Sequence, residues 1–414
     1  MKEFQLPENL DFKKFQELAN GFFQGEGYIG CRVRDTGGKP SFLPVFTMNQ
    51  NLNEKSLLFF VTLWHILGRS CSLYIETSSS GKLIIVIRSE DWNYILDVVC
   101  NYFTMTYGEK FVNFAKLTVI RSLCLQNTKE SLSKAVQLLY TFSMTGKERV
   151  LSLSEVLTKF NLPLSSPYSG IFSDNTVIPT IPFFIGFILA DGSLFIRLRI
   201  VKNSISIIPM IFIPQFITEY NKHFVSMLIL MLTKYNIGTS DKNTGSITGF
   251  TIEGCENIFN KLLPLFLENI FLFYWKYPIL EQFIRVKRLM AFNAHHTLYG
   301  FIKILTIIYS YDNNRKNSLA YWVDIITDLF NPTSEKMKSK HHHIWAMPGR
   351  GDSKGKTIAW KCVFPTNSKL KSKQFGFSNE SDSNKALAKA IEYRDNIIKT
   401  WVDSIDSTDT SPLL

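Results

Sequence analysis

The sequence predicts an α+β protein built by duplication, with a smaller basic module after the two copies. An apolar helical run that ends in acid-Gly occurs twice, as LANGFFQGEG from Leu18 and as FIGFILADG from Phe184. Aligning Glu26 on Asp191, an offset of 165, brings further residues into register. Arg32 and Arg34 follow the first acid by six and eight positions, and Arg197 and Arg199 follow the second by the same distances. Gln50 and Gln215 each lie 24 residues after their acid, while Lys110 and Lys276 lie 84 and 85 after theirs. One such match is chance; four together indicate a repeat.

Each copy follows one grammar. The acid-Gly helix leads into two strands, Tyr28–Arg34 and Phe42–Met48 in the first copy, Leu194–Ile200 and Ile205–Ile213 in the second. Alternation and turn residues such as Gly37-Gly38 support the strands. A long apolar helix follows (Glu54–Leu67; Asn221–Tyr235). Two more strands come next (Ser72–Glu76 and Lys82–Arg88 around the turn Ser78–Gly81; a weaker Gly238–Asp241 and Ile247–Ile252). Helices close each copy, from Asp91–Met105 and from Glu256–Leu267 onward. The predicted boundaries are 1–130 for the first copy, 131–178 for a linker, 179–335 for the second copy, 336–402 for the basic module and 403–414 for a disordered acidic tail.

Composition narrows the class. The 414 residues are 45% hydrophobic and 20% charged, which are globular values. Six cysteines without a C-x-x-C pair exclude a disulfide framework or zinc-finger spacing. The mean hydropathy of +0.03 raises the question of a membrane. The apolar stretches Asn175–Ala190 and Asn203–Thr218 are each shorter than the ~20 residues of a spanning helix and carry prolines, so no membrane partner is expected. The first fifteen residues hold three acids and no arginine, unlike a signal or transit peptide. The 34 phenylalanines, with many Ile, Lys and Asn, fit an AT-rich organelle gene. The expected location is an organelle, the mitochondrion rather than the plastid.

The net charge of +11 is concentrated. Between Lys336 and Ser378 stand ten basic residues and one acid, a net +9, with Trp345 and Trp360 among them. A basic run interleaved with aromatics is the electrostatic footprint of a nucleic-acid-binding module. His341, His342 and His343 read as part of a basic spacer, since three adjacent side chains cannot readily bind one ion.

The acid-Gly helices carry the chemistry. Gly21 and Gly25 are four apart, as are Gly186 and Ala190, so each helix has a bare stripe that permits close approach of the two. Gly27 and Gly192 suit left-handed C-terminal stops. Glu26 and Asp191 then hang from adjacent helix C-termini, where each dipole adds roughly half a negative charge. Two such carboxylates call for a cation. Oxygen-only ligation suits Mg²⁺, and an ion bridging two acids can activate water and stabilise the leaving oxygen of a phosphodiester.

On these two motifs the chain from about Phe12 to Tyr311 resembles the single-chain, two-motif LAGLIDADG homing endonucleases. The resemblance implies a pseudo-twofold pair of αββαββα halves, with the motif helices at the interface and two antiparallel sheets forming a saddle over the DNA major groove. It implies Glu26 and Asp191 as the metal-binding catalytic acids, with Gly25 and Ala190 beside them in the metal site. Gln50 and Gln215 match the glutamine that orders the hydrolytic water. Lys110 and Lys276 match a basic residue near the scissile phosphates, with Lys116 as the competitor of Lys110. Gln24 and Leu189 depart from the pattern at a position that varies in the family.

The strands add a reason to expect DNA. Alternation places Arg32 and Arg34 on one face, and likewise Arg197 and Arg199, where arginines read guanine or hold phosphate. In the C-terminal module, strands at Ile344–Met347, Thr357–Phe364 and Lys373–Ser378 precede an amphipathic helix at Ser383–Lys399. KQFGFS leading to ALAKAIEYRDNII resembles the AP2-type DNA-binding domain, a three-stranded sheet on one helix. That resemblance implies Arg350, Trp360, Lys361 and Lys373 as DNA contacts.

Together these readings predict a monomeric, Mg²⁺-dependent hydrolase that cuts both strands of a long pseudo-palindromic double-stranded DNA site and promotes homing of the intron that encodes it. The alternative is a maturase that binds intron RNA and assists group I splicing, with weak or no nuclease activity. Retention of both acids favours the nuclease.

Overall fold

The first helix, α1 (Phe12–Glu26), starts where the Asp11 side chain accepts the Lys14 N–H at 3.1 Å. It leads into β1 (Tyr28–Thr36) and β2 (Lys39–Asn51), which pair antiparallel around Gly37-Gly38. Both glycines have positive φ (62° and 78°), the backbone a two-residue hairpin turn requires. An Asn53/Ser56 capping box opens α2 (Glu54–Ile66). β3 (Ser72–Thr77) and β4 (Leu83–Ser89) complete a sheet of order β1-β2-β4-β3.

The copy closes with α3 (Trp92–Tyr94), a π turn at Ile95–Val99, α4 (Cys100–Tyr102) and α5 (Gly108–Gln126). The helix expected over Asp91–Met105 is present from Trp92 to Tyr102 as one continuous run with a wide turn in its middle. This structure is a computed structural model, and it describes residues 6, 10–142, 150–166, 168, 170, 172–201, 204–216, 218–243, 245–310, 317–330, 344–348, 357–365, 370–377 and 380–408.

Two helices, α6 (Lys129–Leu139) and α7 (Leu153–Lys159), begin the linker. Its later part is pinned rather than loose. Asp174 accepts the Gly108 N–H at 2.7 Å, Asn175 donates to the Thr104 and Thr106 carbonyls at 3.0 Å each, and the Tyr107 hydroxyl donates to Val177 at 2.7 Å.

The second copy repeats the order: α8 (Ile181–Ala190), β5 (Ser193–Val201), β6 (Ser204–Phe216), α9 (Glu219–Lys234), β7 (Ser240–Asp241) and β8 (Ile247–Glu253), with the sheet order β5-β6-β8-β7. β2 and β6 have thirteen residues each and nearly the same inside-outside alternation. A π turn recurs at Glu256–Leu262 before α10 (Leu263–Leu267), and α11 (Tyr277–Ala291) follows a 3-10 stretch at Ile270–Lys276. α12 (Leu298–Ser310) and α13 (Leu319–Phe330) come after it.

The chain divides into two compact units, Met1–Phe195 with Pro209–Tyr277, and Ile196–Ile208 with Pro278–Leu414. In the first unit the core is rich in phenylalanine among its Leu, Ile and Val residues. Phe22 lies 5.2 Å from Phe59 between ring centroids, Phe23 4.6 Å from Phe103 and Phe187 5.0 Å from Phe224, spacings that favour aromatic pairing. Among the described residues no helix is long and apolar enough to cross a membrane.

The second unit holds the C-terminal module. β9 (Ile344–Pro348), β10 (Thr357–Pro365) and β11 (Leu370–Gly376) form an antiparallel sheet of order β11-β10-β9, against which α14 (Glu380–Thr408) packs, the Tyr393 ring meeting Phe375; Ala386, Ala390 and Ile398 of α14 are buried. The helix runs past Lys399 to Thr408, so residues 403–408, expected in a disordered tail, are helical. The cause lies on α12: the Tyr299 hydroxyl donates to Asp403 and its ring sits under Lys399. Residues 409–414 lie outside the described residues.

Candidate active site

α1 and α8 meet through their small residues. A Cβ on Gly21 would lie 1.9 Å from the Phe183 carbonyl oxygen, and one on Gly186 would lie 1.9 Å from the Leu18 oxygen. Each glycine therefore admits the other helix's backbone, reciprocally, as the spacing of the bare stripes predicts. At the C-terminal end Gly25 abuts Ala190 and the Asp191 carboxylate; a Cβ there would stand 3.3 Å from Asp191 Oδ2. The left-handed stops expected at Gly27 and Gly192 are absent. Gly27 is extended (φ −73°, ψ 149°), and Gly192 also lies outside the left-handed region. Both glycines serve packing instead: a Cβ would strike the Phe23 ring at 1.9 Å in one case and Ile188 Cα at 2.7 Å in the other.

Glu26 and Asp191 thereby share one cavity of about 540 Å³, together with Gln24, Lys110 and Gln215. Burial raises the Glu26 pKa, and the Asp191 charge raises it further, against the opposing pull of Lys110 and Lys276. Both lysines plug the helix ends. Lys110 Nζ donates to the carbonyls of Phe23, Gln24 and Gly25 at 2.6, 2.6 and 2.9 Å, and Lys276 Nζ to those of Ile188 and Gly192. Cations at helix C-termini satisfy orphan carbonyls and oppose the dipole. Lys116 instead donates to Thr141, away from the acids, so position 110 is the one beside the site.

Burial pulls the pKa of Lys110 and of Lys276 down to about 8, with the two acids resisting. A lysine depressed on folding is protonated in the unfolded chain but not in the folded one between about pH 8 and its ordinary 10.5. Stability contributed by this difference rises with pH across that window, and below about 8 the burial penalty is constant. Two lysines are expected to titrate near pH 8 in ε-carbon NMR, and the denaturation midpoint is expected to climb between pH 8 and 10. Lysines that all titrate near 10.5 would contradict this.

The two glutamines do not match. Gln215 Nε2 donates to Asp191 Oδ2 at 3.2 Å and to the Pro214 carbonyl at 2.8 Å. The Gln50 side-chain carbonyl instead accepts the Asn51 N–H at 2.8 Å, and Gln50 is not among the residues that line the cavity. Gln24, 5% exposed, holds the backbone of Tyr107 from both sides, its Oε1 accepting at 2.9 Å and its Nε2 donating at 3.2 Å. Its amide is thereby committed to structure, and Leu189 is buried.

The donor set suits a hard divalent cation. Two carboxylates, one raised partly by the other, face an open cavity beside the Gly25 and Ala190 backbone, and the Gly25 carbonyl keeps a second lone pair beyond the one Lys110 uses. Among the described residues no cluster of three or more His, Cys, Asp or Glu could hold an ion. Few protein ligands, all oxygen, are what Mg²⁺ takes when it retains several waters.

The arginines stand on strands, as expected. Arg32 and Arg34 are exposed on one face of β1, with Arg34 3.8 Å from Glu90, an acid that Arg88 also engages. Arg197 is half-buried and Arg199 exposed on β5. In the C-terminal module two of the expected DNA contacts face the wrong way for a sheet-borne reader. Trp360 Nε1 donates to Ser383 of α14 at 3.3 Å, and Lys373 Nζ lies 4.8 Å from the Tyr393 ring centroid, so both turn toward the helix. Lys361, paired in register with Gln374, is on the opposite face. Arg350 and the histidine triplet lie outside the described residues.

The cavity also holds residues that the sequence reading missed, Tyr28, Glu109, Asn113 and Asn221. For two of them a signal existed: Glu109 and Asn113 are one and three positions from Lys110, on the cavity side of α5.

No protein-family model matches the sequence, and no curated protein matches it. The fold has close company among solved structures. The meganuclease I-SmaMI bound to uncleavable DNA matches with a TM-score of 0.58 at 18% identity, covering 75% of this chain and 100% of that one. The I-LtrWI LAGLIDADG homing endonuclease bound to its target DNA matches with a TM-score of 0.58 at 17% identity, covering 73% and 99%. I-SmaMI on uncleaved DNA with calcium ions matches at 0.57 and 18%, covering 70% and 97%. At these identities the likeness is one of fold. The α+β architecture with two four-stranded antiparallel sheets is that of the LAGLIDADG homing endonucleases.

Proposed function

We propose that this chain is a site-specific DNA endonuclease that uses Mg²⁺ to hydrolyse one phosphodiester in each strand of a long, imperfectly symmetric duplex site, and so promotes homing of its intron. The observation that carries the reading is the Glu26–Asp191 pair, one acid from each copy, at adjoining helix ends in one open cavity. A single site between two copies suits a substrate with two strands. Neighbours in fold bound to target or cleaved DNA, and one with calcium ions, support it.

Glu26 and Asp191, with the Gly25 and Ala190 carbonyls, would hold the ion, which supplies Lewis-acid charge at the phosphate and lowers the pKa of water. Water adds across one P–O bond: its oxygen bonds to phosphorus, the ester oxygen leaves with a proton, and the second water proton passes to solvent. Gln215 orients groups at the Asp191 carboxylate. Lys110 and Lys276 keep positive charge behind the acids, where the phosphate approaches. Arg32, Arg34, Arg197 and Arg199 contact bases or phosphates, and Lys361 contributes from an AP2-like module. The protein acts as a monomer, in an organelle and most simply the mitochondrion.

The test is selection of cleaved duplexes from a randomised DNA library with Mg²⁺, against an EDTA control. Metal-dependent enrichment of one long site supports the reading. Intron-RNA binding with splicing assistance and no cleavage would replace it with the maturase.

A further inference from the structure

We propose that the two copies read DNA by different chemistry, the second by apolar contact with thymine methyl groups through Phe216 and its neighbours, the first by hydrogen bonds. The inference rests on the endonuclease reading above and names the kind of half-site each copy takes. The repeat's offset of 165 sets Thr47, Asn49 and Asn51 of β2 against Phe212, Pro214 and Phe216 of β6. In a strand, alternate residues share a face. Met48 is buried between the first three, and Ile211 and Ile213 are buried beside the second three, so both sets lie on the face turned from the core. None of the six is itself buried. At equivalent positions one outward face is polar and the other apolar.

The apolar face adjoins the chemistry. Phe216 is 65% exposed and pairs in register with Ile247; both line the cavity of Glu26 and Asp191, as does Pro214. Gln215, one residue before Phe216, donates to Asp191 Oδ2 at 3.2 Å, so whatever reaches that acid meets the ring. Pro214 has no N–H to give a base or phosphate. Gly249, which faces it across the ladder, has no room for a side chain, since a Cβ would lie 2.1 Å from the Ile213 carbonyl oxygen. What this part of the face offers a duplex is ring and aliphatic surface. A two-stranded ribbon such as β6–β8 fits the major groove, where thymine presents its C5 methyl and phenylalanine is among the residues that contact it. In the first copy, Arg32 and Arg34 are exposed on β1, and the register sets them on the face of Thr47, Asn49 and Asn51. There asparagine reads adenine and arginine reads guanine, both by hydrogen bonds.

The experiment removes methyl groups from the DNA. In the target selected as above, each thymine in turn is replaced by deoxyuridine, and every such duplex competes with the unmodified one for cleavage with Mg²⁺. Loss of a methyl that packs on the apolar face should lower kcat/KM about fourfold, the equivalent of one buried carbon. These positions should fall in one half of the site only. Phe216→Asn, which installs the first copy's residue, should cut the thymine target more slowly and lose the penalty at one or more of those positions. Phe216→Leu, which keeps an apolar side chain, should retain it. A selected site without thymine, no penalty anywhere, or penalties shared equally by the two halves would overturn the proposal with wild type alone. A penalty that survives in Phe216→Asn, or loss of all cleavage in that variant, would also overturn it. Each of these outcomes leaves the hydrolase reading intact, whereas a wild type that cuts no duplex in the library would overturn both.

Discussion

Glu26→Gln and Asp191→Asn are each expected to abolish double-strand cleavage while leaving the protein folded. Each removes a negative charge from a two-carboxylate site whose proposed role is to hold a divalent cation. Metal-assisted stabilisation of the transition state is worth several kcal/mol. At about 1.4 kcal/mol per factor of ten, loss of that term slows cutting at least roughly a thousandfold. Stability should move the other way in Glu26→Gln. Burial and the Asp191 charge both penalise the ionised Glu26 side chain, so the amide relieves the metal-free protein and should hold or raise its melting temperature. Cleavage rates and melting curves on the same samples check both statements. A variant that unfolds would show the acid to be structural.

Gly186→Ala is expected, like its reciprocal Gly21→Ala, to be among the most damaging single-methyl changes in the fold. The added carbon would sit 1.9 Å from the Leu18 carbonyl oxygen, a backbone atom with no rotamer to escape into. α1 and α8 must then separate by more than an ångström, loosening the contacts of Phe22, Phe183 and Phe187 on either side, all fully buried. Overpacking of this kind costs about 3 kcal/mol or more. For a chain of 414 residues that is a fall of roughly 4 °C or more in melting temperature. It should also reduce cleavage, since the same contact sets the spacing of the two acids. Gly376→Ala is the control, because nothing lies within 4 Å of its added carbon. Equal melting temperatures for the two variants would contradict the close helix contact.

The duplication and the acid pair were legible because both depend on residue types at fixed spacing. Backbone-to-backbone approach needs glycine, so Gly21 and Gly186 announce the interface, and the repeated offset pairs the acids without any knowledge of three dimensions. What could not be read is whatever depends on side-chain direction. Gln50 and Gln215 occupy equivalent positions, yet one bonds its own strand and the other the acid. Trp360 and Lys373 carry the right chemistry for DNA but share a strand face with Phe375, which packs on Tyr393 of α14. Gly27 and Gly192 follow helix ends, where a left-handed turn is common, but ring and backbone crowding explains them instead. The wide turn inside the helix after Asp91 has no residue type to announce it, and a π turn recurs at the corresponding place in the second copy.

Under the proposed function one chain cuts both strands at a single cavity whose two halves are unequal at Gln50 and Gln215. The most direct test is single-turnover cleavage of the selected duplex with Mg²⁺ as the ratio of protein to DNA is raised. Full conversion to double-strand breaks at one chain per duplex is the predicted result. A requirement for two chains per duplex, or tight binding with no cutting of either strand, would contradict it.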